Sequence, residues 1–402
     1  MELSQRAKNL KTSPTLALVA KAKELAAQGN DVLSLTVGEP DWSTFPAAAQ
    51  AGIEAIQQGI TKYTPAQGTI ELRKAIARVL EHDIGVSYNP QQVCVSSGAK
   101  FAIFAGLQVL CSPGDEVIIP SPYWVSYPTM AELADAKPVI VDCKDVTHFK
   151  LTADQLEKAI TPKTRVLLLC SPSNPTGQVY HHKELGALAE VLRKHPRVIV
   201  ISDDMYNRLM FDGSRVAPHL LQVAPDLKDR VLIINGASKT FAMTGWRLGW
   251  AAGHPTLIKA MADYQSQAMG SPSSISQHAG LKVIESSEGQ IADVVRKLME
   301  RRKLFLQALA TVPGFKVATP GGAFYLWVDI QAHLGKTYQG RTISSSRDFC
   351  DILLDQYYVA TVPGIESGVD GYMRLSFAVT EETMTKAIER MKQFIADIYS
   401  QQ

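Results

Sequence analysis

The residues with the clearest chemical meaning fall in Asn235-Gly-Ala-Ser-Lys-Thr-Phe-Ala-Met-Thr-Gly-Trp-Arg-Leu-Gly249. This stretch is rich in small side chains around one lysine, Lys239, with Arg247 eight positions on. A lysine among small and apolar neighbours loses hydration, which favours the neutral amine and makes it a nucleophile toward carbonyl carbon. An arginine presents a planar fork of donors that suits a phosphate. A reactive amine and a phosphate clamp in one stretch suggest a phosphorylated aldehyde cofactor, pyridoxal 5'-phosphate. On its own, a Lys/Arg pair more often lines a solvated turn, so the reading depends on what other elements bring to the same place.

Apolar runs at 231–234 and 248–252 flank the lysine stretch and read as buried strands. Between residues 47 and 300 such runs, at 92–96, 116–119, 138–141, 165–170 and 198–202, alternate with helical patterns near 47–58, 69–82, 99–111, 153–160, 182–194 and 255–268. Continuous Val/Ile/Leu runs suit strands covered on both faces, so the pattern predicts an α/β unit of three layers around a mostly parallel sheet. In such sheets ligands gather in the loops at the carboxyl ends of the strands. A long helical pattern over 275–311, interrupted near 286–289, leads past Pro313-Gly314 into shorter strands and helices. These predict a smaller α+β unit built from both chain ends.

The strand-end loops carry further candidates. Ser97-Gly-Ala-Lys100 opens a helix, where bare backbone N–H groups and the positive end of the dipole suit a phosphate. The same four residues spell Ser-x-x-Lys, an acyl-transfer motif, but the Ser-Asp-Asn and Lys-Thr-Gly that should follow are missing. Trp124, in Pro120-Ser-Pro-Tyr-Trp-Val-Ser-Tyr127, could stack on a pyridine ring, although an aromatic residue is as readily a packing element. Asn174, between two prolines in Ser171-Pro-Ser-Asn-Pro-Thr-Gly177, is a positioned amide. Asp203 and Tyr206, in Asp203-Asp-Met-Tyr206, could face a pyridine nitrogen and a phenolic oxygen. Gly38, before Glu39-Pro40, marks a turn that a ligand can approach closely.

Composition narrows the class. With 402 residues, 46% of them hydrophobic, and a net charge of +2, the chain has a globular balance and no basic tract for nucleic acid. Five scattered cysteines read as reduced core thiols, and the polar N-terminus and short apolar runs predict neither leader nor membrane span. The expected compartment is the cytoplasm. The adjacent pair His181-His182 has no partner cluster, so no metal is expected.

Taken together, these stretches resemble the class I (fold type I) pyridoxal-phosphate aminotransferases over essentially the whole chain. The resemblance rests on the lysine signature Gly236–Gly249 together with Val37-Gly-Glu-Pro-Asp41, Lys62-Tyr-Thr-Pro65, Ser121-Pro-Tyr-Trp124, Ser173-Asn-Pro-Thr-Gly177, Ser202-Asp-Asp-Met-Tyr206 and Met373-Arg-Leu-Ser376, in that family's order. It implies that Lys239 bears the cofactor and carries protons, and that Arg247, Gly98, Ala99, Lys100 and Ser238 hold the phosphate. It further implies that Asp203 faces the ring nitrogen, that Tyr206 and Asn174 face the ring oxygen, and that Trp124 stacks on the ring. Arg374 is expected to grip the substrate α-carboxylate with help from Gly38 and Asn174. Tyr63 is expected to reach the phosphate of a neighbouring subunit, which makes the protein a homodimer with shared sites. The implied division is an arm and part of the small unit at 1–45, the cofactor-binding unit at 46–295 and the small unit at 296–402.

The reaction implied is ping-pong transfer of an amino group between an amino acid and a 2-oxo acid. The chain is most similar to a bacterial branch of aspartate aminotransferases, in which a lysine at the phosphate turn binds the distal carboxylate. Lys100 stands there, with Thr15 and a serine of 271–274 as helpers, and the expected pair is aspartate with 2-oxoglutarate. Aromatic amino acids, alanine and prephenate are the alternatives, and a non-catalytic regulator would need a DNA-binding module that the sequence lacks. One departure from the family stands out: a serine usual three residues before the lysine is Gly236 here.

Overall fold

The computed structural model describes residues 1–10, 14–36 and 38–400. Its centre is a seven-stranded sheet with the order Val93–Ser96, Gly249–Ala252, Val231–Gly236, Ile199–Asp203, Thr164–Cys170, Glu116–Ser121, Lys137–Asp142. Six strands run parallel, and Gly249–Ala252 runs antiparallel between its two neighbours. The apolar runs form these strands because helices such as Ala99–Leu110 and Pro255–Ala268 cover the sheet and remove side chains such as Ile118, Leu167 and Leu232 from water. Each such side chain contributes roughly 1.5–3 kcal/mol of hydrophobic stabilisation.

The six helices expected between 47 and 268 all appear, within two residues of their expected ends. The interruption near 286–289 is real: Ser287 separates Ser274–Ser286 from Glu288–Leu309. A short helix, Tyr127–Leu133, was not foreseen, and its seven residues are too few to display a period. Of the run expected at 32–37, the described residues 32–36 form a strand only at Leu33–Ser34.

Near the C-terminus a four-stranded antiparallel sheet runs in the order Val362–Pro363, Tyr372–Ser376, Tyr325–Asp329, Lys316–Val317. Leu33–Ser34 pairs in parallel with Val359–Ala360, so the N-terminal segment is tied to this C-terminal part. The helix Glu288–Leu309 runs through the proposed boundary at 295/296. Its first residue joins a partly buried ionic group in which Arg208 donates to Asp83 at 2.9 and 3.0 Å and to Glu288 at 2.9 Å. Such a group resists removal of either partner, because the remaining charge would stay buried without compensation.

Candidate active site

Lys239 follows the strand Val231–Gly236 in a turn held against its antiparallel neighbour, with Gly236 opposite Gly249. A Cβ at Gly236 would lie 2.9 Å from the Leu248 carbonyl oxygen and 3.1 Å from the Gly249 Cα. Strand pairing therefore leaves no space there for the family's usual serine. The Lys239 amine is buried and donates to the Gly38 carbonyl at 2.5 Å. Burial lowers its pKa to about 8, the nearby Arg247 and Arg374 charges act in the same direction, and Glu39 and Asp203 oppose it. An amine of that acidity has a far larger nucleophilic, neutral fraction near neutral pH than a solvated lysine, although most of it is still protonated at pH 7.

Asp203 ends the adjacent strand, where it pairs with Cys170 on one side and Ile234 on the other. It accepts from the Tyr127 hydroxyl at 2.5 Å and from the Met205 N–H at 3.2 Å. Burial pushes its carboxyl upward, while the Tyr127 and Met205 hydrogen bonds oppose the shift. Trp124 meets the Tyr127 ring edge-on at 5.4 Å. Arg374 lies on the strand Tyr372–Ser376 and is nearly fully buried, donating to Asn174 Oδ1 at 2.9 Å and to the Thr36 carbonyl at 2.6 Å. Its Nε has no partner among the described residues.

Gly98 caps the helix Ala99–Leu110 with φ +87°, and a Cβ there would come 2.6 Å from Arg247 Nη2. The helix N-terminus and the guanidinium thus share one cradle, which a side chain would fill. Arg247 itself donates to the Thr244 carbonyl at 2.7 Å, and Thr244 in turn bonds Glu39. Lys100 donates to Ser126 at 3.2 Å, 5.3 Å from the Trp124 ring centre, and lost hydration and then Arg247 lower its pKa.

One cavity of about 290 Å³ collects Gly38, Ala99, Lys100, Trp124, Asn174, Asp203, Tyr206, Ser238, Lys239, Arg247 and Arg374. These positions span more than 330 residues of sequence, and apart from the helper positions Thr15 and 271–274, the expected residues not among its lining residues are Gly98, beside Arg247, and Tyr63. Tyr63 is 99% exposed on its own chain. Ser273 and Ser274 are elsewhere: the first caps Ser274–Ser286, and the second donates to the Ile60 carbonyl at 2.9 Å. The Thr15 side chain lies outside the described residues. Among the lining residues that escaped the sequence reading are two phenols, Tyr127 and Tyr325. Tyr127 stands at the end of a quoted loop, but nothing local shows that it reaches Asp203, and Tyr325 is hidden in an apolar strand run.

The cavity carries four cations, Lys100, Lys239, Arg247 and Arg374, whose five hydrogen bonds among the described residues all go to uncharged oxygens, against one buried acid, Asp203. Such a donor set calls for a ligand with several negative charges and one cationic nitrogen. Pyridoxal phosphate fits: its phosphate suits the Gly98/Arg247 cradle, its aldehyde the lysine and its ring nitrogen the aspartate.

Comparison with known proteins decides the family. Residues 30–391 match the family Aminotransferase class I and II. The chain belongs to it. This aminotransferase is 44% identical to a probable aspartate/prephenate aminotransferase of Rickettsia bellii over 97% of its own length and 98% of the relative's. It is 40% identical to the aspartate/prephenate aminotransferase of Nitrosomonas europaea, covering 98% of its own chain and 100% of the relative. The aspartate aminotransferase of Rhizobium meliloti superposes with a TM-score of 0.95 at 39% identity, over 99% of both chains. That of Thermus thermophilus with maleate superposes with a TM-score of 0.91 at 38% identity, over 98% of this chain and 99% of that one. The aminotransferase is accordingly a pyridoxal-phosphate-dependent transaminase with the fold type I architecture, which sets aside the acyl-transfer and regulator readings. Ser97 and Lys100, the halves of the acyl-transfer motif, do not bond one another; the lysine bonds Ser126.

Proposed function

We propose that this aminotransferase moves the amino group of L-aspartate to 2-oxoglutarate in a ping-pong reaction. The observation that carries the reading is the cation count of the cavity. With Lys239 assigned to the aldehyde and Arg247 to the phosphate, Arg374 and Lys100 remain for the two carboxylates of a dicarboxylic substrate. Maleate, with which the Thermus thermophilus aspartate aminotransferase was solved, is likewise a dicarboxylate.

In this reading Arg247, Gly98, Ala99 and Ser238 hold the phosphate, Trp124 covers the ring, Asp203 faces the ring nitrogen, and Tyr206 and Asn174 face the ring oxygen. Bound pyridoxal phosphate supplies an electron sink that stabilises the carbanion formed when a Cα proton leaves. Arg374 and Lys100 orient the substrate so that its Cα proton faces Lys239. The lysine, whose neutral form burial favours, takes that proton and returns it. Asp203, whose hydrogen bonds from Tyr127 and Met205 favour its charged form against burial, would pair with a protonated ring nitrogen. Steady-state kinetics over a panel of amino donors tests the proposal: aspartate is expected to have the highest kcat/KM, and a higher value for alanine or phenylalanine overturns it.

A second reading, favoured by the aspartate/prephenate aminotransferases among the relatives, adds prephenate as an amino acceptor. Prephenate also has two carboxylates, so the same cations suit it, and an assay for aspartate-dependent amination of prephenate tests it. Homodimerisation is supported by the exposure of three large hydrophobic side chains within one short stretch of sequence, Ile53, Ile56 and Tyr63, the last 99% exposed, and sedimentation equilibrium measures it. A reducing, cytoplasmic location is supported by five free cysteines.

A further inference from the structure

Tyr206 and Tyr325 are 119 residues apart in sequence, and their hydroxyls meet at 2.8 Å. Both side chains are almost wholly buried, at 4% and 1% exposure, with ring centres 5.6 Å apart in an edge-on arrangement. Buried hydroxyls need partners. This pair shares one hydrogen bond but owns two protons, so one proton is left for another acceptor. If Tyr325 donates, the spare proton belongs to Tyr206 and is available to the ligand. The Tyr325 ring also lies under the Arg374 guanidinium, with the guanidinium carbon 4.5 Å from the ring centre. Its hydroxyl lies where a Cβ of Gly38 would be only 2.5 Å away, so Gly38 is a glycine in part to admit Tyr325.

We propose that Tyr325 is a positioning residue: its hydroxyl donates to Tyr206 and strengthens the hydrogen bond that Tyr206 gives to the cofactor ring oxygen, while its ring supports the carboxylate-binding face of Arg374. The proposal rests on the placement of Tyr206 opposite the ring oxygen. The physical basis is cooperativity, since a hydroxyl that accepts a hydrogen bond becomes a better donor in a site of low dielectric. A better donor stabilises the ring oxygen as an anion. Losing the Tyr325 hydroxyl should therefore make that ionisation harder and move it to higher pH. The other charged or titratable groups beside the two phenols are Arg374, which favours negative charge, and Cys170, which disfavours it. Neither is altered by the substitutions below.

The test is a spectrophotometric pH titration of the cofactor-loaded protein, read at the colour change of the lysine-bound cofactor. Tyr206→Phe should raise the midpoint most. Tyr325→Phe should raise it by about half a unit to one unit, the scale of one neutral hydrogen bond. The double variant should match Tyr206→Phe alone, because Tyr325 acts through Tyr206. An unmoved midpoint in Tyr325→Phe, or shifts that add in the double variant, overturns the relay. If Tyr206→Phe itself leaves the midpoint at the wild-type value, the placement of Tyr206 fails and the proposal with it. For the ring, succinate serves as a dicarboxylate probe of the loaded protein. Tyr325→Phe should retain its affinity within about twofold and Tyr325→Leu should lose about threefold to tenfold, the scale of a cation–π contact; unchanged affinity in Tyr325→Leu overturns the support of Arg374.

Discussion

The floor of the cavity and its rim are built in different ways. On the floor, Lys239 and Asp203 follow or end neighbouring strands of one sheet, Asp203 is buried and Lys239 mostly so, and lost hydration moves both pKa values toward the neutral forms. At the rim and beyond it, Lys100 is exposed, Tyr63 is exposed and does not line its own cavity, and Ser273 and Ser274 line or brace other surfaces. Groups proposed to perform chemistry are thus held where access of water is reduced. Groups proposed to choose the substrate lie where small changes in loops, or a second subunit, can alter them. The difference explains why the reaction class is easier to read than the substrate.

Substitutions that separate floor from rim test this contrast. Lys239→Ala should lower turnover by more than about a thousandfold, because it removes both nucleophile and proton carrier; residual transamination near the wild-type rate would end the proposed role of this lysine. Asp203→Asn should cost about a hundredfold to a thousandfold in kcat with little change in fold, since it removes charge opposite the ring nitrogen while keeping shape. Circular dichroism checks the fold and stopped-flow kinetics the rate. At the rim, Lys100→Ala should reduce kcat/KM for aspartate about tenfold to a hundredfold, the scale of a charge-assisted hydrogen bond, and that for phenylalanine much less. Equal losses for both substrates would remove Lys100 from specificity and weaken the contrast.

Two smaller effects concern how the floor acquires its cofactor. Gly98→Ala should weaken pyridoxal phosphate affinity about tenfold, because the added Cβ meets Arg247 and the position has a positive φ; equilibrium titration of the apoprotein measures it. Capture of the cofactor by the apoprotein requires neutral Lys239, whose pKa is lowered to about 8. The association rate should therefore rise about fivefold between pH 7 and pH 8 and level off above pH 9, as the protonated fraction of the amine disappears. A rate independent of pH in that range would mean that the amine is already neutral at pH 7.

Much of the sheet was legible because strands covered on both faces must be continuous apolar runs, as at Val117, Ile118 and Ile119. The loops were legible for a related reason: once the sheet is expected to be parallel, its carboxyl-end loops must lie together, and Asn174, Asp203 and Lys239 fall at three of them. The ingredients of the proposal, a lysine among small and apolar neighbours, an arginine eight positions on and a parallel sheet to gather them, were determined by the sequence itself, because local composition controls burial and burial favours the neutral amine. What only the tertiary structure decided are the partnerships across distance. The 2.5 Å bond from Tyr127 to Asp203, the Tyr206–Tyr325 pair and the fork of Arg374 onto Asn174 and Thr36 join residues between 76 and 338 positions apart. Side chains have no period or spacing that links separate strands, so contacts of this kind exist only once the sheets have packed against each other.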